Sequence, residues 1–158
     1  GQYTRLCGNR SVAEHVLVAL PRDATTNVGQ LLDTVNLPRA VAGQQPGSLS
    51  YGQQKRLEIA RALAGEPRIL LLDEPAAGLN DVEKEEISAI VRAVRDRGTH
   101  VLIIDHDVEL IASVCDQVIC LNFGKQIACG TPSEVVRDPA VIEAYLGTKA
   151  RGAVHGPS

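Results

Sequence analysis

Two adjacent carboxylates, Asp73 and Glu74, follow a short apolar run at residues 68–72. In open α/β sheets, ligands gather at the carboxyl ends of the strands, so a carboxylate that follows a buried strand is well placed to bind one. Such a group can hold Mg²⁺ directly or through water. A second carboxylate one residue later could orient or deprotonate an attacking water molecule. A solvated, inert acidic turn would have the same sequence, so both interpretations stay open for this pair alone.

His106 follows the next apolar run, residues 100–104, and stands between Asp105 and Asp107. The strand-end rule places its side chain on the same edge of the predicted sheet as Glu74. An imidazole there could donate a hydrogen bond to a phosphate oxygen or to the attacking water. The alternative is a residue at the start of a helix, where neighbouring carboxylates are favoured electrostatically whatever the function.

A third polar group lies at the start of a predicted helix, in the sequence LSYGQ of residues 49–53. A helix N-terminus presents unpaired backbone N–H groups and a partial positive charge. Gly52 would let an anion approach the backbone, while the Ser50 hydroxyl and the Gln53 amide would complete a phosphate-sized site. Ser50 and Gln53 could instead only cap each other. That alternative leaves Gly52 unexplained, because glycine in a first helical turn costs stability.

The elements that must position these residues alternate along the chain. Capping boxes predict helices that begin at Ser11, Ser50 and Thr131, and apolar residues at helical spacing predict another over 80–97. We expect the first of these helices to end at about Leu20. Further short helices are predicted at 28–35, 108–114 and 138–146. Strands are predicted at 68–72, 100–104, 117–121 and 125–129. We expect the first two strands to be buried on both faces and the last two to form a hairpin. The alternation predicts an α/β domain with a mostly parallel sheet flanked by helices.

Composition and residue spacing argue against a nucleic-acid-binding protein, a zinc-site protein and a membrane-spanning protein. The formal net charge of −3 over 158 residues argues against nucleic acid as a partner, since a phosphate-binding face usually shows as a basic excess. Cys7, Cys115, Cys120 and Cys129 form no C-x-x-C pair, and the histidines are not interleaved with them at zinc-site spacing. We therefore expect reduced, mostly buried thiols. No apolar run approaches ~18 residues, so no membrane span is predicted.

Together and in this order, these groups resemble the nucleotide-binding subunits of ATP-binding cassette (ABC) transporters, which have a P-loop NTPase fold. Residues 49–53 resemble the signature motif, residues 69–74 resemble Walker B with its catalytic glutamate, and residues 77–81 resemble the D-loop. His106 resembles the switch histidine. The stretches LSYGQQKRLEIARAL, LLLDEPAAGLN and GTPSEVVRDPAVIEAYLG are most similar to the ATPase subunits of branched-chain amino acid importers.

The resemblance implies how the signature and D-loop residues act. In the family, two such subunits pair head to tail and sandwich two ATP molecules, each held by one subunit's P-loop and the other subunit's signature. Ser50, Gly52 and Gln53 would then bind the γ-phosphate of the partner's ATP. Asn80 and Asp81 would cross the dimer interface.

The resemblance also implies the hydrolytic residues. Asp73 would hold Mg²⁺, Glu74 would polarise water, and His106 would contact the γ-phosphate. Gln2 resembles the Q-loop glutamine, which touches Mg²⁺ or water and senses the transmembrane permease subunits. The protein would thus be cytoplasmic and peripheral on the inner face of the cell membrane.

One family motif has no counterpart, because no G-x-x-x-x-G-K-[ST] sequence occurs. We therefore expect the chain to correspond to the family's segment from the Q-loop to the C-terminus, without the P-loop strand, and to be inactive in isolation. Residues 1–147 would form the partial ATPase domain. Within it, residues 5–48 would be a partial helical subdomain and 49–147 the signature helix with half of the catalytic core. Residues 148–158 would be a flexible tail.

Three functional hypotheses follow. The first is the larger part of an ATPase subunit that powers the import of branched-chain amino acids. The second is a non-catalytic, truncated cassette that offers only its signature face to a complete partner subunit. The third is a cassette ATPase that acts on chromosomes or ribosomes. It ranks lowest, because no long heptad segment precedes the signature and only one cassette is present.

Overall fold

The computed structural model describes residues 9–146 of the chain. The helices are α1 (Val12–Leu17), α2 (Val28–Thr34), α3 (Tyr51–Ala64), α4 (Asp81–Asp96), α5 (Val108–Val114), α6 (Pro132–Arg137) and α7 (Pro139–Val141). The strands are β1 (Ile69–Asp73), β2 (His100–Ile104), β3 (Val118–Asn122) and β4 (Lys125–Gly130). Short 3₁₀ helices span Arg39–Gly43 and Pro46–Ser48, and a π-helical turn spans Ile142–Leu146. Within the described range, none of the helices combines the length and the apolar character that a membrane crossing requires.

The chain divides into two compact units, one that ends at His106 and one that begins at Asp107. The first unit contains α1 to α4 with β1 and β2, and the second contains α5 to α7 with β3 and β4. The division at residue 48, between a partial helical subdomain and the signature helix with half of the catalytic core, stays a prediction.

The predicted capping boxes are confirmed at all three helix starts. At α3, the Ser50 backbone N–H donates to Gln53 Oε1 at 3.0 Å, and the Gln53 backbone N–H donates to Ser50 Oγ at 3.2 Å. The same reciprocal bonds occur at the starts of α1 and α6. The α1 helix ends at Leu17, one turn earlier than the expected Leu20, since residues 18–20 continue as turns.

The first unit contains the predicted parallel strand pair. Strands β1 and β2 run parallel, with Leu71 opposite Leu102 and Asp73 opposite Ile104. The expectation that both strands are buried on both faces is wrong for the described structure. Along β1, Leu70 is 3% exposed whereas Leu71 is 68% exposed, because successive side chains point to opposite faces and only one face is covered. A uniformly apolar run does not reveal which of its faces is packed.

The covered face of this sheet continues into a helical core. The fully buried side chains of the first unit come from α1 to α4 and from the turns between them, so one core joins these helices. Its largest members are Val12, Val16, Leu32, Val35, Pro46, Leu57 and Ile87. Because they are aliphatic apart from one proline, the core agrees with the aromatic content of 3%.

The second unit is built around the predicted hairpin. Strands β3 and β4 pair antiparallel, with an irregularity in register between Cys120 and Leu121. Ala128, Val135 and Val141 form its buried core, joined by partly buried side chains of both strands. Burial raises the pKa of the Cys115 and Cys120 thiols. The expectation of mostly buried thiols is wrong for the described cysteines, since Cys115 and Cys120 are only half-buried and Cys129 is exposed.

Arg56 links three helices of the first unit. Its side chain is almost wholly buried on α3, and its Nη1 donates to the carbonyl oxygen of Asn36 at 2.8 Å, just beyond the end of α2. The same nitrogen lies 3.3 Å from Glu86 Oε1 on α4. Asn36 itself has a left-handed backbone with φ of 53°. The guanidinium therefore satisfies a carbonyl at a strained chain reversal and neutralises a half-buried carboxylate.

We predict that Arg56→Ala destabilises the protein by about 1.5–3 kcal/mol, because it leaves the Asn36 carbonyl and the Glu86 carboxylate without their charged donor. Arg92→Ala is the matched control, since Arg92 pairs with the exposed Glu85 on the same helix as Glu86. A surface pair of that kind contributes about 0–1 kcal/mol. Urea unfolding of the full-length protein measures both changes, and equal losses for the two variants would contradict the role of Arg56.

Candidate functional site

The first part of the site forms where β1 and β2 end. The Glu74 backbone N–H donates to the carbonyl oxygen of Ile104 at 2.7 Å, so the pairing of the two strands extends one residue past β1. Glu74 has a φ of 47°, in the left-handed region. This conformation costs an L-residue about 1–2 kcal/mol. Strain of this kind is typical of functional sites, where surrounding structure holds a residue in place.

The structure brings Glu74 and His106 together, as the sequence predicted. Glu74 Oε1 lies 3.5 Å from His106 Nδ1, and both side chains are more than half exposed. A carboxylate beside one ring nitrogen orients an imidazole and leaves the other nitrogen to meet a ligand. The pair can therefore act on a solvent-accessible molecule at this edge of the sheet.

Asp105 supports this pair and was missed by sequence reasoning. Its side chain is 1% exposed, and its Oδ1 lies 3.7 Å from His106 Nδ1. Its other oxygen accepts a hydrogen bond from the Ala76 backbone N–H at 3.4 Å, which holds the turn after Glu74. The sequence signal was its position directly before His106, at the end of β2. Asp105 thus connects the imidazole to the turn that carries Glu74.

Asp73 ends β1 and is exposed to solvent. Among residues 9–146, no three His, Cys, Asp or Glu side chains converge in a way that could hold a metal by themselves. Mg²⁺ is commonly bound through one or two carboxylates, with phosphate oxygens and water completing its octahedron. A single accessible carboxylate at a strand end fits that ion together with a phosphate ligand. Gln2, the other residue predicted to serve the metal, lies outside the described residues.

The second part of the site is the start of α3, which packs against the start of α4. Gly52 is buried, and a Cβ built on it would lie 2.5 Å from Glu83 Oε1 and 2.9 Å from Glu83 Cδ. The glycine therefore makes room for the Glu83 side chain. This packing reason for Gly52 was not visible in the sequence, and its predicted contact with phosphate stays a prediction.

The segment between Glu74 and α4 contacts α3 a second time. Gly78 has a φ of 76°, and a Cβ on it would lie 3.2 Å from Tyr51 Cε1. Asn80 begins α4 through a reciprocal capping box with Glu83, which the Asn-x-x-Glu pattern could have predicted. Asp81 follows in the exposed first turn of α4. The predicted signature and D-loop residues are thus neighbours in the structure.

Two family models match the chain. One described as "ABC transporter" matches residues 1–77, and one described as "Branched-chain amino acid ATP-binding cassette transporter" matches residues 125–151. The first match includes the start of α3 and the end of β1, and the second match begins at β4.

Individual proteins agree with these matches. The branched-chain amino acid transport ATP-binding protein BraF of Pseudomonas aeruginosa is 44% identical over 127 residues, which cover 80% of this chain and 49% of BraF. LivG of Salmonella typhimurium, named for the same transport, is 37% identical over 167 residues, with coverage of 92% and 66%. A solved ATP-binding cassette of an ABC transporter superposes with a TM-score of 0.79 at 25% identity, covering 92% of this chain and 66% of that one. The chain thus spans about half to two thirds of the length of these proteins.

We predict that Glu74→Gly gives a more stable protein than Glu74→Ala, by up to about 1 kcal/mol. Both variants lack the carboxylate, but only alanine keeps the Cβ that makes the left-handed backbone costly. The difference is reduced by the greater freedom of glycine in the unfolded chain. Equilibrium unfolding of the two full-length variants measures it, and a glycine variant less stable than the alanine variant would contradict the strain at Glu74.

Proposed function

The chain belongs to the ATP-binding cassette (ABC) transporter family, and on that premise we propose that it is part of an ATP-hydrolysing subunit that drives the import of branched-chain amino acids. One structural observation carries the hydrolytic part of this proposal. A strained, exposed Glu74 lies within 3.5 Å of His106 at the carboxyl end of two parallel strands. The choice of solute is supported by the names of BraF and LivG and by the family model that matches residues 125–151.

The hydrolytic step that we propose begins at Glu74. Its carboxylate accepts a hydrogen bond from a water molecule, orients it towards the γ-phosphate of ATP and takes up its proton as the new P–O bond forms. The bond from the γ-phosphorus to the β–γ bridging oxygen breaks in the same step, and ADP leaves. His106, held beside Glu74 and Asp105, presents its remaining ring nitrogen to a γ-phosphate oxygen. Asp73 would hold Mg²⁺, which supplies charge neutralisation to the phosphates when it is bound.

The other face of the nucleotide would be met by a second subunit. The resemblance implies a head-to-tail dimer in which Ser50, Gly52 and Gln53 of one copy bind the γ-phosphate of the ATP held by the other copy. The backbone N–H groups and partial positive charge at the start of α3 suit an anion there. Asn80 and Asp81 would cross the same interface. Closure of the dimer on ATP and its opening after hydrolysis would drive the transmembrane permease subunits, on the cytoplasmic side of the membrane.

We predict that Glu74→Gln in the full-length subunit, assembled with its membrane subunits in lipid vesicles, lowers ATP turnover by about 10²–10⁴-fold. The amide keeps the shape of the side chain but cannot accept a proton from water, so ATP binding should persist while hydrolysis is lost. Glu85→Gln, an exposed position on α4, is the control and should leave turnover unchanged.

Phosphate release and nucleotide binding are measured on the same preparation. Undiminished turnover in Glu74→Gln would overturn the assignment of Glu74 as the base. Loss of both binding and turnover would indicate a structural role instead. ATP-dependent uptake of radiolabelled leucine, against a matched basic amino acid such as lysine, tests the proposed solute class.

A further inference from the structure

We propose that Glu83 is a positioning residue that holds the signature turn, residues 50–53, against the D-loop turn, residues 78–80. It does so by filling the space that Gly52 leaves empty. The inference rests on the proposed function, since it concerns the same two segments. It assigns to Gly52 and Glu83 a mutual packing role that the resemblance does not supply.

The two oxygens of the Glu83 carboxylate have different tasks. Oε2 accepts a hydrogen bond from the Asn80 backbone N–H at 3.1 Å, while Asn80 Oδ1 accepts from the Glu83 backbone N–H at 3.0 Å. Oε1 lies 2.5 Å from the position that a Gly52 Cβ would occupy. One side chain therefore fixes the start of α4 and lies directly against the first turn of α3.

The clash with a methyl group at position 52 would extend along the Glu83 side chain. Its Cγ and Cδ lie 3.2 Å and 2.9 Å from the same Cβ position, so more than the tip of the chain would clash with a methyl group there. A rotation that relieved the clash would withdraw Oε2 from Asn80 and break the capping box. Any side chain at position 52 is thus expected to disturb the D-loop turn.

A second contact keeps the two turns at a fixed spacing. The Tyr51 ring lies against Gly78, whose φ of 76° and missing side chain allow the close approach. Lys55 Nζ lies 5.7 Å from the centroid of the same ring and covers it as a cation–π contact. Tyr51 therefore contacts Gly78 at one end of the D-loop turn, while the next residue, Gly52, lies against Glu83, which caps Asn80 at the other end.

Loss of Glu83 would alter the positions of the groups around the phosphate rather than remove a group that binds ATP. Glu83 acts through Gly52 and Asn80, so its loss should leave ATP affinity nearly intact and reduce the rate. A shift of about 1 Å in groups that position a reacting phosphate can cost about 10²-fold in rate. The effect should therefore appear in kcat much more than in KM.

The test introduces a methyl group at position 52 and then removes the Glu83 atoms that it would meet. Both changes are made in the full-length subunit assembled with its membrane subunits. We expect Gly52→Ala to lower the kcat for ATP by about 10–100-fold with KM nearly unchanged. Glu83→Ala removes the atoms that the new methyl group would meet. The double variant Gly52→Ala with Glu83→Ala should therefore recover at least about 5-fold in kcat over Gly52→Ala alone. If the double variant is no more active than the single one, the methyl group obstructs phosphate itself and the proposal is overturned.

A further variant tests whether the position of the Glu83 side chain or its negative charge matters. Glu83→Gln keeps both the shape of the side chain and an oxygen that can cap Asn80, so it should retain several-fold more turnover than Glu83→Ala. Equal damage from the two would overturn the proposal, since charge rather than position would then matter. Glu85→Ala combined with Gly52→Ala is the matched control, and any rescue by this remote change would also contradict the proposal.

The packing can be measured independently of hydrolysis. Thermal unfolding of the wild type, Gly52→Ala, Glu83→Ala and the double variant of these two changes should show a lower Tm for Gly52→Ala and a partial return in the double variant. If the wild-type protein shows no ATP turnover, or Glu74→Gln turns over ATP normally, the proposed function fails while the Tm comparison still tests the contact. Because alanine by itself favours a helix over glycine, the contact would be overturned if the Tm effects of Gly52→Ala and Glu83→Ala were simply additive.

Discussion

The hydrogen bond from the Glu74 backbone N–H to the Ile104 carbonyl, at 2.7 Å, is the interaction on which the hydrolytic half of the site depends. It continues the ladder of β1 and β2 beyond the last paired residue and holds Glu74 in a left-handed conformation. The pairing of the two strands therefore determines the backbone position of Glu74, the first residue after β1. Together with the bond from the Ala76 backbone N–H to Asp105, the bond to Ile104 holds Glu74 near His106.

The two parts of the site are joined by the short segment that follows Glu74. Asp105 bonds to the beginning of this segment at Ala76, Tyr51 packs on its middle at Gly78, and Glu83 caps its end at Asn80. Each contact comes from a different element, namely the end of β2, the start of α3 and the start of α4. A segment held at three successive points can transmit a displacement from one part of the site to the other.

Local signals in the sequence predicted the elements of the fold well. Ser50 and Gln53 stand at capping-box spacing, and the structure contains both bonds because this motif is satisfied within four consecutive residues. The parallel pairing of β1 with β2 and the hairpin of β3 with β4 also followed from short apolar runs and their connections. Asn80 and Glu83 stand at the same spacing, so the capping box at the start of α4 also has a local signal in the sequence.

Features that depend on distant contacts were not predictable in this way. The exposure of Leu71 depends on what covers the sheet, which an apolar run cannot show. The left-handed backbone of Glu74 has no local signal, since neither glycine nor asparagine occupies that position. The reason for Gly52 lies on another helix, in Glu83, and only the folded chain brings the two together. The sequence predicted a set of site residues, whereas the contacts that hold Glu74 beside His106 and Gly52 beside Glu83 became visible only in the structure.

The packing of Tyr51 on Gly78 has an optical consequence. The chain contains no tryptophan and three tyrosines, and this ring is half exposed, with an ammonium group above it and a bare backbone beside it. Phenol emission depends on such surroundings, so separation of the ring from the glycine would change the ultraviolet fluorescence of the chain. Tyr51 is therefore an intrinsic fluorophore at the contact between the signature turn and the D-loop turn.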